Sequence, residues 1–218
     1  MLSWIKNHKY SLWLLYFVFY FPAFFLLESL EVKFIISCPL DNAIPFCEWF
    51  IFPYFAWYII MPGSLLLMMF KDREDFLHLC FLMFTGMTVS LLTYFIVPNG
   101  LNLRVGTIND NIAGDICRFL YAVDAPTNAC PSIHVSSAVA IDMAIQKSKT
   151  FKNNIPIRVI SFLMMVLICL STMFVKQHSF VDVVAGVLLS VVLYIIAYHT
   201  PCKKIFSPKR IEEDAITA

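Results

Sequence analysis

The chain has 218 residues, of which 60% are hydrophobic, 16% are aromatic and only 14% are charged. Soluble domains carry roughly half apolar and a quarter charged residues, so this composition excludes a soluble globular fold and, by the same numbers, intrinsic disorder. The formal net charge of +1 offers no electrostatic footprint for nucleic acid. A multi-span membrane protein is the class that remains.

Six apolar stretches are long enough to be considered as membrane-spanning helices. In chain order they are Tyr10–Leu27, Trp49–Phe70, Phe76–Val97, Ser132–Gln146, Ile157–Val175 and Val181–Tyr198. A helix that crosses ~30 Å of hydrocarbon needs about 20 residues, so the fourth and sixth stretches are short. The sequence predicts an all-α polytopic membrane protein with six transmembrane helices.

The first stretch follows Lys6 and Lys9, which is also how a secretory signal peptide begins. No small-residue cleavage site comes after it, so we expect an uncleaved first span. We expect one membrane domain over residues 1–200 and a charged tail over residues 201–218 on the inner side.

Basic residues divide unevenly between the two sides of the predicted membrane. Of the 16 Lys and Arg residues, only Lys33, Arg104, Arg118 and Lys176 fall on one side. Because basic residues mark the cytoplasmic side, these four lie outside. This predicts a multi-pass protein, expected in the plasma membrane, with both termini cytoplasmic.

The third loop, from Pro98 to Pro131, is long and lies outside. It contains apolar residues at the spacing of one helical face, namely Ile112, Ile116, Phe119, Leu120 and Val123. Polar residues occupy the opposite face, including Asp115 and Arg118. The pattern predicts a short interfacial helix that lies over the bundle.

Four of the seven cysteines, Cys38, Cys47, Cys117 and Cys130, are predicted outside. Up to two disulfides could form there, but the scattered positions favour simple apolar thiols.

Ionisable residues gather at the outer ends of two predicted spans, where such groups are functional candidates. The fourth span opens with Pro131-Ser132-Ile133-His134, and the sixth opens with His178 and, four residues later, Asp182. Positions i and i+4 are neighbours on a helix, so Asp182 can fix one ring nitrogen of His178 and leave the other to attack or accept a proton. His134 enters from the same side.

The surroundings of these histidines favour an anion. Arg104 and Lys176 supply positive charge, and both spans direct their helix N-termini to this side. Ser132 can cap the fourth span or bind an oxygen of the ligand. Together these groups predict a phosphate pocket around a nucleophilic imidazole.

Structural interpretations of the same residues stay open. His178 and Asp182 could be a pair that joins two helices, and His134 an ordinary interfacial histidine. Arg104 and Lys176 could extend to lipid headgroups, and Arg118, three residues after Asp115, could form a surface ion pair.

The two histidine segments resemble the type 2 phosphatidic acid phosphatase superfamily of six-span lipid phosphatases and phosphotransferases. Pro131-Ser132-Ile133-His134 is similar to its second motif, and His178 with Asp182 to the core of its third. The similarity extends from roughly Asp41 to Gly186. The run 171–178 is similar to a bacterial branch that itself resembles sphingomyelin and inositol phosphorylceramide synthases.

The chain departs from the superfamily pattern at its cationic positions. Thr172 stands where the third motif has Arg, and Val97 where the first motif has Lys. Val105 replaces a Pro, so Arg104 alone survives from the first motif. Lys176 could supply a substitute cation. These changes concern the headgroup preference rather than the two-histidine chemistry.

The resemblance implies a mechanism without a metal or another cofactor. His178 would attack phosphorus and form a phosphohistidine, Asp182 would orient it, and His134 would protonate the leaving alcohol. Arg104, Lys176 and Ser132 would neutralise the phosphoryl oxygens, with Arg118 and Thr172 as further candidates. The expected partners are a membrane lipid phosphate and the bilayer, with no nucleic acid and no indication of oligomeric state.

Three alternatives stay open at this point. The acceptor could be an alcohol instead of water, which makes the protein a lipid phosphotransferase. The two histidines and the aspartate could instead hold a catalytic zinc ion. The charged cluster could also belong to a non-catalytic lipid-binding or transport protein.

Overall fold

The structure, a computed structural model, describes residues 8–199. Lys6, Cys202 and the predicted tail over residues 201–218 lie outside the described residues, so the predicted location of both termini stays a prediction. Helices dominate this part of the chain. In chain order they are α1 (Tyr16–Glu28), α2 (Pro39–Ala43), α3 (Ile51–Lys71), α4 (Arg73–Ile96), α5 (Ile112–Val123), α6 (Ile133–Lys147), α7 (Ile155–Phe174) and α8 (Phe180–His199).

Short segments of other structure complete the described chain. One 3₁₀ turn, Lys9–Leu15, leads into α1, and another, Glu48–Phe50, leads into α3. Two strands of two residues each, Phe34–Ile35 and Asn99–Gly100, pair in parallel. They join the loop after α1 to the loop after α4.

Five helical segments are long and apolar enough to cross a membrane. They are Lys9–Glu28, Glu48–Lys71, Arg73–Ile96, Ile155–Phe174 and Phe180–His199. They correspond to five of the six predicted spans and establish a mostly helical, membrane-type protein. The remaining predicted span, α6, has 15 residues, so the six-span layout stays a prediction.

Helix α6 lies at the centre of the bundle. Eleven of its residues are buried, and it packs against α4, α7 and α8. Serine and alanine residues allow neighbouring helices to approach closely, and Ser190 of α8 donates to the Ser136 carbonyl at 2.8 Å. Gly186 of α8 makes this approach possible, since a Cβ there would lie 2.9 Å from the Ser132 carbonyl oxygen.

Helix α5 forms where the sequence predicts a helix, but it turns a different face to the protein. Its buried residues are Ala113, Gly114, Cys117 and Leu120. Ile112, Phe119 and Val123, which belong to the predicted apolar face, are exposed. A Cβ at Gly114 would overlap the Asn109 carbonyl, so the loop that precedes α5 passes close to the helix at this position. The position of α5 at a membrane interface stays a prediction.

The cysteines in the described part of the chain form no disulfide; Cys38, Cys47, Cys80, Cys117, Cys130 and Cys169 all carry thiols.

At the opposite end of α6 from His134, Asp142 accepts hydrogen bonds from Gln146 at 3.0 Å and from Ser161 at 2.7 Å. A buried carboxylate is thereby satisfied between α6 and α7.

Candidate active site

A cavity of about 390 Å³ lies between α1, α3, α5 and the start of α6. His134 and His178 both line it. Most of the remaining wall is aromatic or aliphatic and comes from α1 and α3. The cavity therefore combines an apolar interior with the two histidines predicted to carry the chemistry.

His134 lies in the first turn of α6, two residues after the N-cap. Ser132 is that N-cap, since its Oγ accepts the Val135 N–H at 3.3 Å. The imidazole packs against the rings of Trp57 and Tyr54, with centroids 4.2 and 4.7 Å away. Trp57 is itself fixed by a 2.7 Å hydrogen bond from Nε1 to Ser137 Oγ. His134 Nε2 is buried and has no hydrogen-bond partner among residues 8–199.

His178 lies in the turn between α7 and α8, not on the helix. The sequence predicts that His178 opens the last span, but α8 begins at Phe180. The Thr172 carbonyl accepts both the Gln177 and the His178 N–H, at 2.9 and 3.0 Å. These two bonds fix the turn to the end of α7 and position a His178 side chain that is only 7% exposed.

Asp182 contacts His178 even though the two residues do not lie on one helix, as the i, i+4 spacing predicts. Asp182 is in the first turn of α8, and its Oδ2 accepts the Ser179 N–H at 2.9 Å. A side chain that returns to the N-cap amide in this way is half of a capping box. The same Oδ2 lies 3.4 Å from His178 Nδ1. The cap holds the carboxylate where it can select the ring tautomer.

The two imidazoles face each other across the cavity wall. Their ring centroids are 5.7 Å apart and their planes are inclined at 59°. A backbone hydrogen bond joins α6, which carries His134, to α8, which follows His178: the Ser132 N–H donates to the Asp182 carbonyl at 3.2 Å. A tetrahedral group between the rings could contact a nucleophile on one side and an acid on the other.

The predicted phosphate-binding residues are not in the cavity wall. Ser132 is completely buried as the N-cap of α6. Lys176 donates its ammonium to the carbonyls of Asp41, at 2.8 Å, and Ile44. Arg104 lies behind the wall and donates to the carbonyls of Tyr121 and Asp124 and to Gln177 Oε1. Among the described residues that line the cavity there is no Lys or Arg.

The two further candidates, Arg118 and Thr172, are also placed elsewhere. Arg118 forms surface ion pairs with Asp115 at 2.6 Å and Asp110 at 3.2 Å, as its spacing from Asp115 allows. The Thr172 hydroxyl donates to the Cys169 carbonyl at 2.8 Å. Thr172 therefore contributes through its backbone, by holding the histidine turn.

Asp41 is a residue at the site whose importance the sequence did not indicate. It lies on the short helix α2, is 3% exposed, and accepts hydrogen bonds from the Cys38 N–H, the Ser179 hydroxyl and the Phe180 N–H. Burial alone would raise its pKa, but these hydrogen bonds lower the pKa below its usual value. Asp41 and Lys176 together attach α2 to the turn that carries His178.

Two more acidic residues, which no sequence motif indicates, line the cavity itself. Glu28 ends α1, and Asp124 follows α5. Asp124 Oδ2 is 3.4 Å from both the Tyr54 hydroxyl and Gln177 Nε2. Burial raises the pKa of Asp124 and Glu28 adds to the rise, while His178 and Arg104 oppose it. Separation along the chain hides this pair from any reading of local motifs.

The residues described show no group of three or more His, Cys, Asp and Glu side chains arranged to hold a metal ion. The groups at the site that can act chemically include the two imidazoles, the carboxylates and the helix ends.

A family model described as the PAP2 superfamily matches residues 105–196. The match includes both histidines and Asp182, and it supports membership of the type 2 phosphatidic acid phosphatase superfamily. This confirms the resemblance that the two histidine motifs carry. No curated protein and no solved structure matches the chain significantly.

Proposed function

We propose that the protein is an integral-membrane lipid phosphatase, which hydrolyses a phosphoric monoester or diphosphate through a phosphohistidine at the outer membrane face. The observation that carries the proposal is the pairing of His134 and His178 in the wall of one apolar cavity, with their ring centroids 5.7 Å apart. Membership in the PAP2 superfamily supports a lipid phosphate hydrolase or a related activity.

The first chemical step uses His178 as the nucleophile. Its Nδ1 faces Asp182, so Nε2 attacks phosphorus. The N–P bond forms, the bond from phosphorus to the lipid oxygen breaks, and protonated His134 gives its proton to that oxygen. Asp182 holds the tautomer and stabilises the positive charge on the phosphorylated ring.

The second step regenerates both histidines. A water molecule attacks phosphorus, its proton passes to His134, and the N–P bond breaks with release of phosphate. Charge on the phosphoryl oxygens is met by the N-terminus of α6, where His134 lies and where the helix dipole favours anions. Arg104 adds positive charge from behind the wall, and its buried Nε has no hydrogen-bond partner in the part of the chain that the structure describes.

Ser132 and Lys176 take positioning roles in this proposal. Ser132 caps the helix that carries His134, and Lys176 anchors the turn that carries His178. Neither needs to contact phosphate directly.

Lipid tails have an apolar route to the site. Phe25 of α1 and Phe119 of α5 line the cavity and are more than 60% exposed. In a membrane these rings face hydrocarbon, so a lipid can place its phosphate at the histidines while its chains remain in the bilayer.

The test is phosphate release by the purified protein, assayed on a panel of lipid phosphates with and without a chelator. His178→Ala should lose at least about 10³-fold in kcat and His134→Ala about 10²- to 10⁴-fold. His199→Ala is the matched control, because His199 is exposed at the other end of α8. Activity retained by His178→Ala on every substrate would overturn the proposal.

A lipid phosphotransferase is the second candidate, and the size of the cavity favours it. About 390 Å³ exceeds what one phosphate and one water molecule occupy, since water takes roughly 30 Å³ of liquid volume. Including alcohols in the assay distinguishes the two outcomes. Transfer predicts a new phosphodiester at the expense of free phosphate.

A further inference from the structure

A buried amide that the proposed mechanism does not use lies in the wall of the cavity. Asn128 lines the cavity together with His134 and His178, and it is only 7% exposed. Its Nδ2 atom is buried and donates to no acceptor among residues 8–199. Buried polar side chains nearly always have a hydrogen-bond partner, so an amide without one requires an explanation. A ligand that enters the cavity can supply the acceptor.

The backbone at Asn128 is fixed by Asn99, which lies on the short strand that follows α4. The Asn128 N–H donates to the Asn99 carbonyl at 2.9 Å. The side chain of Asn99, which is 2% exposed, then accepts the Ala129 and Cys130 N–H groups at 3.0 and 2.8 Å. Asn128 is therefore held in place by bonds that do not involve its own side chain. A donor held in this way is already in position when a ligand arrives.

The conformation of Asn128 does not by itself account for the amide. Its φ is 52°, in the left-handed region that few residues other than glycine adopt, although asparagine is enriched there. Glycine would meet the same backbone requirement without steric cost. The backbone therefore explains a residue that tolerates positive φ, and the side chain that lines the cavity needs a separate reason.

The phosphoryl oxygens of a bound substrate need hydrogen-bond donors, and the cavity has few. Among the described residues that line it there is no Lys or Arg, and Lys176 and Arg104 are engaged with backbone carbonyls. A neutral donor that is fixed in a site shielded from water can stabilise negative charge that develops on an oxygen in the transition state. The asparagine amide offers two N–H groups for this purpose.

We propose that the Asn128 amide donates a hydrogen bond to a non-bridging phosphoryl oxygen during the attack on phosphorus, which makes Asn128 a further catalytic residue. The inference rests on the proposed function, since it takes the phosphate to lie at His134 and His178. The amide transfers no proton. Its bond strengthens as negative charge develops on the oxygen, so its loss should lower kcat more than it raises KM.

The test replaces Asn128 by residues that accept the same backbone conformation. Asn128→Gly removes the amide and keeps the positive φ, whereas Asn128→Asp keeps the shape and presents a carboxylate. We expect kcat/KM of Asn128→Gly to fall by about 10²- to 10³-fold, as for the loss of one oxyanion-hole donor. Asn128→Asp should lose at least as much, because its charge repels the phosphoryl oxygens. Asn102→Gly is the matched control, since Asn102 is exposed in the same external loop.

A second measurement distinguishes contact with phosphate from support of the loop. Orthovanadate takes the five-coordinate geometry of the phosphoryl-transfer transition state, so its inhibition constant should rise by at least about 10-fold in Asn128→Gly. The unfolding midpoint should stay close to that of Asn102→Gly. If Asn128→Gly does not fold, Asn128→Asp is assayed in the same way. Wild-type kcat/KM in the variants, or lost activity with an unchanged vanadate constant, overturns the inference.

The outcomes for this inference and for the proposed function can be told apart. Full activity in Asn128→Gly beside an inactive His178→Ala leaves the phosphatase proposal standing and removes the Asn128 contact. If the wild type hydrolyses no lipid phosphate, vanadate binding is measured by isothermal titration calorimetry, which needs no turnover. Binding that is at least about 10-fold weaker in Asn128→Gly then supports the contact, and equal binding overturns it.

Discussion

Asp41 provides the sharpest test of how the histidine turn is held. The change is Asp41→Asn, which keeps the shape of the side chain and removes its charge. Asp41 accepts the Cys38 N–H at 2.7 Å, the Ser179 hydroxyl at 2.6 Å and the Phe180 N–H at 2.8 Å. It is 3% exposed, so water cannot replace these bonds.

The size of the effect follows from counting those bonds. Asparagine keeps one oxygen, which can still accept from Phe180. Its NH₂ group faces the Cys38 N–H, which cannot accept, while the Ser179 hydroxyl can rotate. One hydrogen bond to a charged acceptor is lost, and the other two become bonds to a neutral acceptor. A hydrogen bond to a charged group contributes about 1.5–3 kcal/mol to stability, and one between neutral groups about 0.5–1.5 kcal/mol. We expect Asp41→Asn to destabilise the fold by roughly 4–5 kcal/mol.

The loosened turn should also lower activity, because His178 lies one residue before Ser179. A displacement of about 1 Å at a reacting group costs on the order of 10²-fold in rate. Since Asp41 does not line the cavity, the loss should fall on kcat, with KM changed by less than about 3-fold. Thermal unfolding and steady-state kinetics in one detergent measure both effects.

Asp110→Asn is the control, because Asp110 is an exposed external acid and should affect neither measurement. Asp41→Asn with wild-type kcat at a temperature where it remains folded would refute the reasoning. So would a variant whose KM rises while kcat is unchanged, since that places Asp41 in substrate binding.

Three further predictions concern the same framework. The stability difference between wild type and Asp41→Asn should shrink below about pH 4, because the pKa of Asp41 lies below its unfolded value near 3.9. The charged form of Asp41 therefore stabilises the fold above the unfolded pKa, and this stabilisation is lost as the pH falls through the folded pKa. If the two proteins differ in unfolding midpoint as much at pH 3 as at neutral pH, this prediction is contradicted. Lys176→Met should lower the unfolding midpoint, because it leaves the Asp41 and Ile44 carbonyls without their donor; if it instead raises only KM, Lys176 binds phosphate. Gly186→Ala should destabilise by about 1–3 kcal/mol, since its Cβ would lie 2.9 Å from the Ser132 carbonyl oxygen, whereas Gly63→Ala, which has nothing within 4 Å, should be neutral or stabilising by thermal unfolding.

The apolar spans could be predicted because membrane hydrocarbon imposes a length and a composition on each helix. That rule works best for helices that face lipid, and α6 shows where it weakens. Helix α6 is surrounded by other helices, so its surface is set by close packing through Ser136 and other small residues. Hydropathy therefore gives a weaker signal for the helix that carries His134 than for the helices that face lipid.

The two histidines could be predicted because short motifs at helix starts carry them. Their supporting residues could not, because those contacts join segments far apart in the chain. Lys176 was predicted to bind phosphate from its distance to His178, yet its positive φ of 58° turns its side chain to the carbonyls of α2. Sequence proximity to a catalytic residue does not determine the direction of a side chain in a turn.

The same consideration applies to the charged residues around the histidines. The prediction summed cations near the histidines in the sequence, and it found Arg104 and Lys176. In the structure both are engaged with backbone carbonyls, whereas Glu28 and Asp124, at two helix ends, are in the wall. The helix ends matter because they fix both the position of the carboxylates and the sign of the dipole beside them.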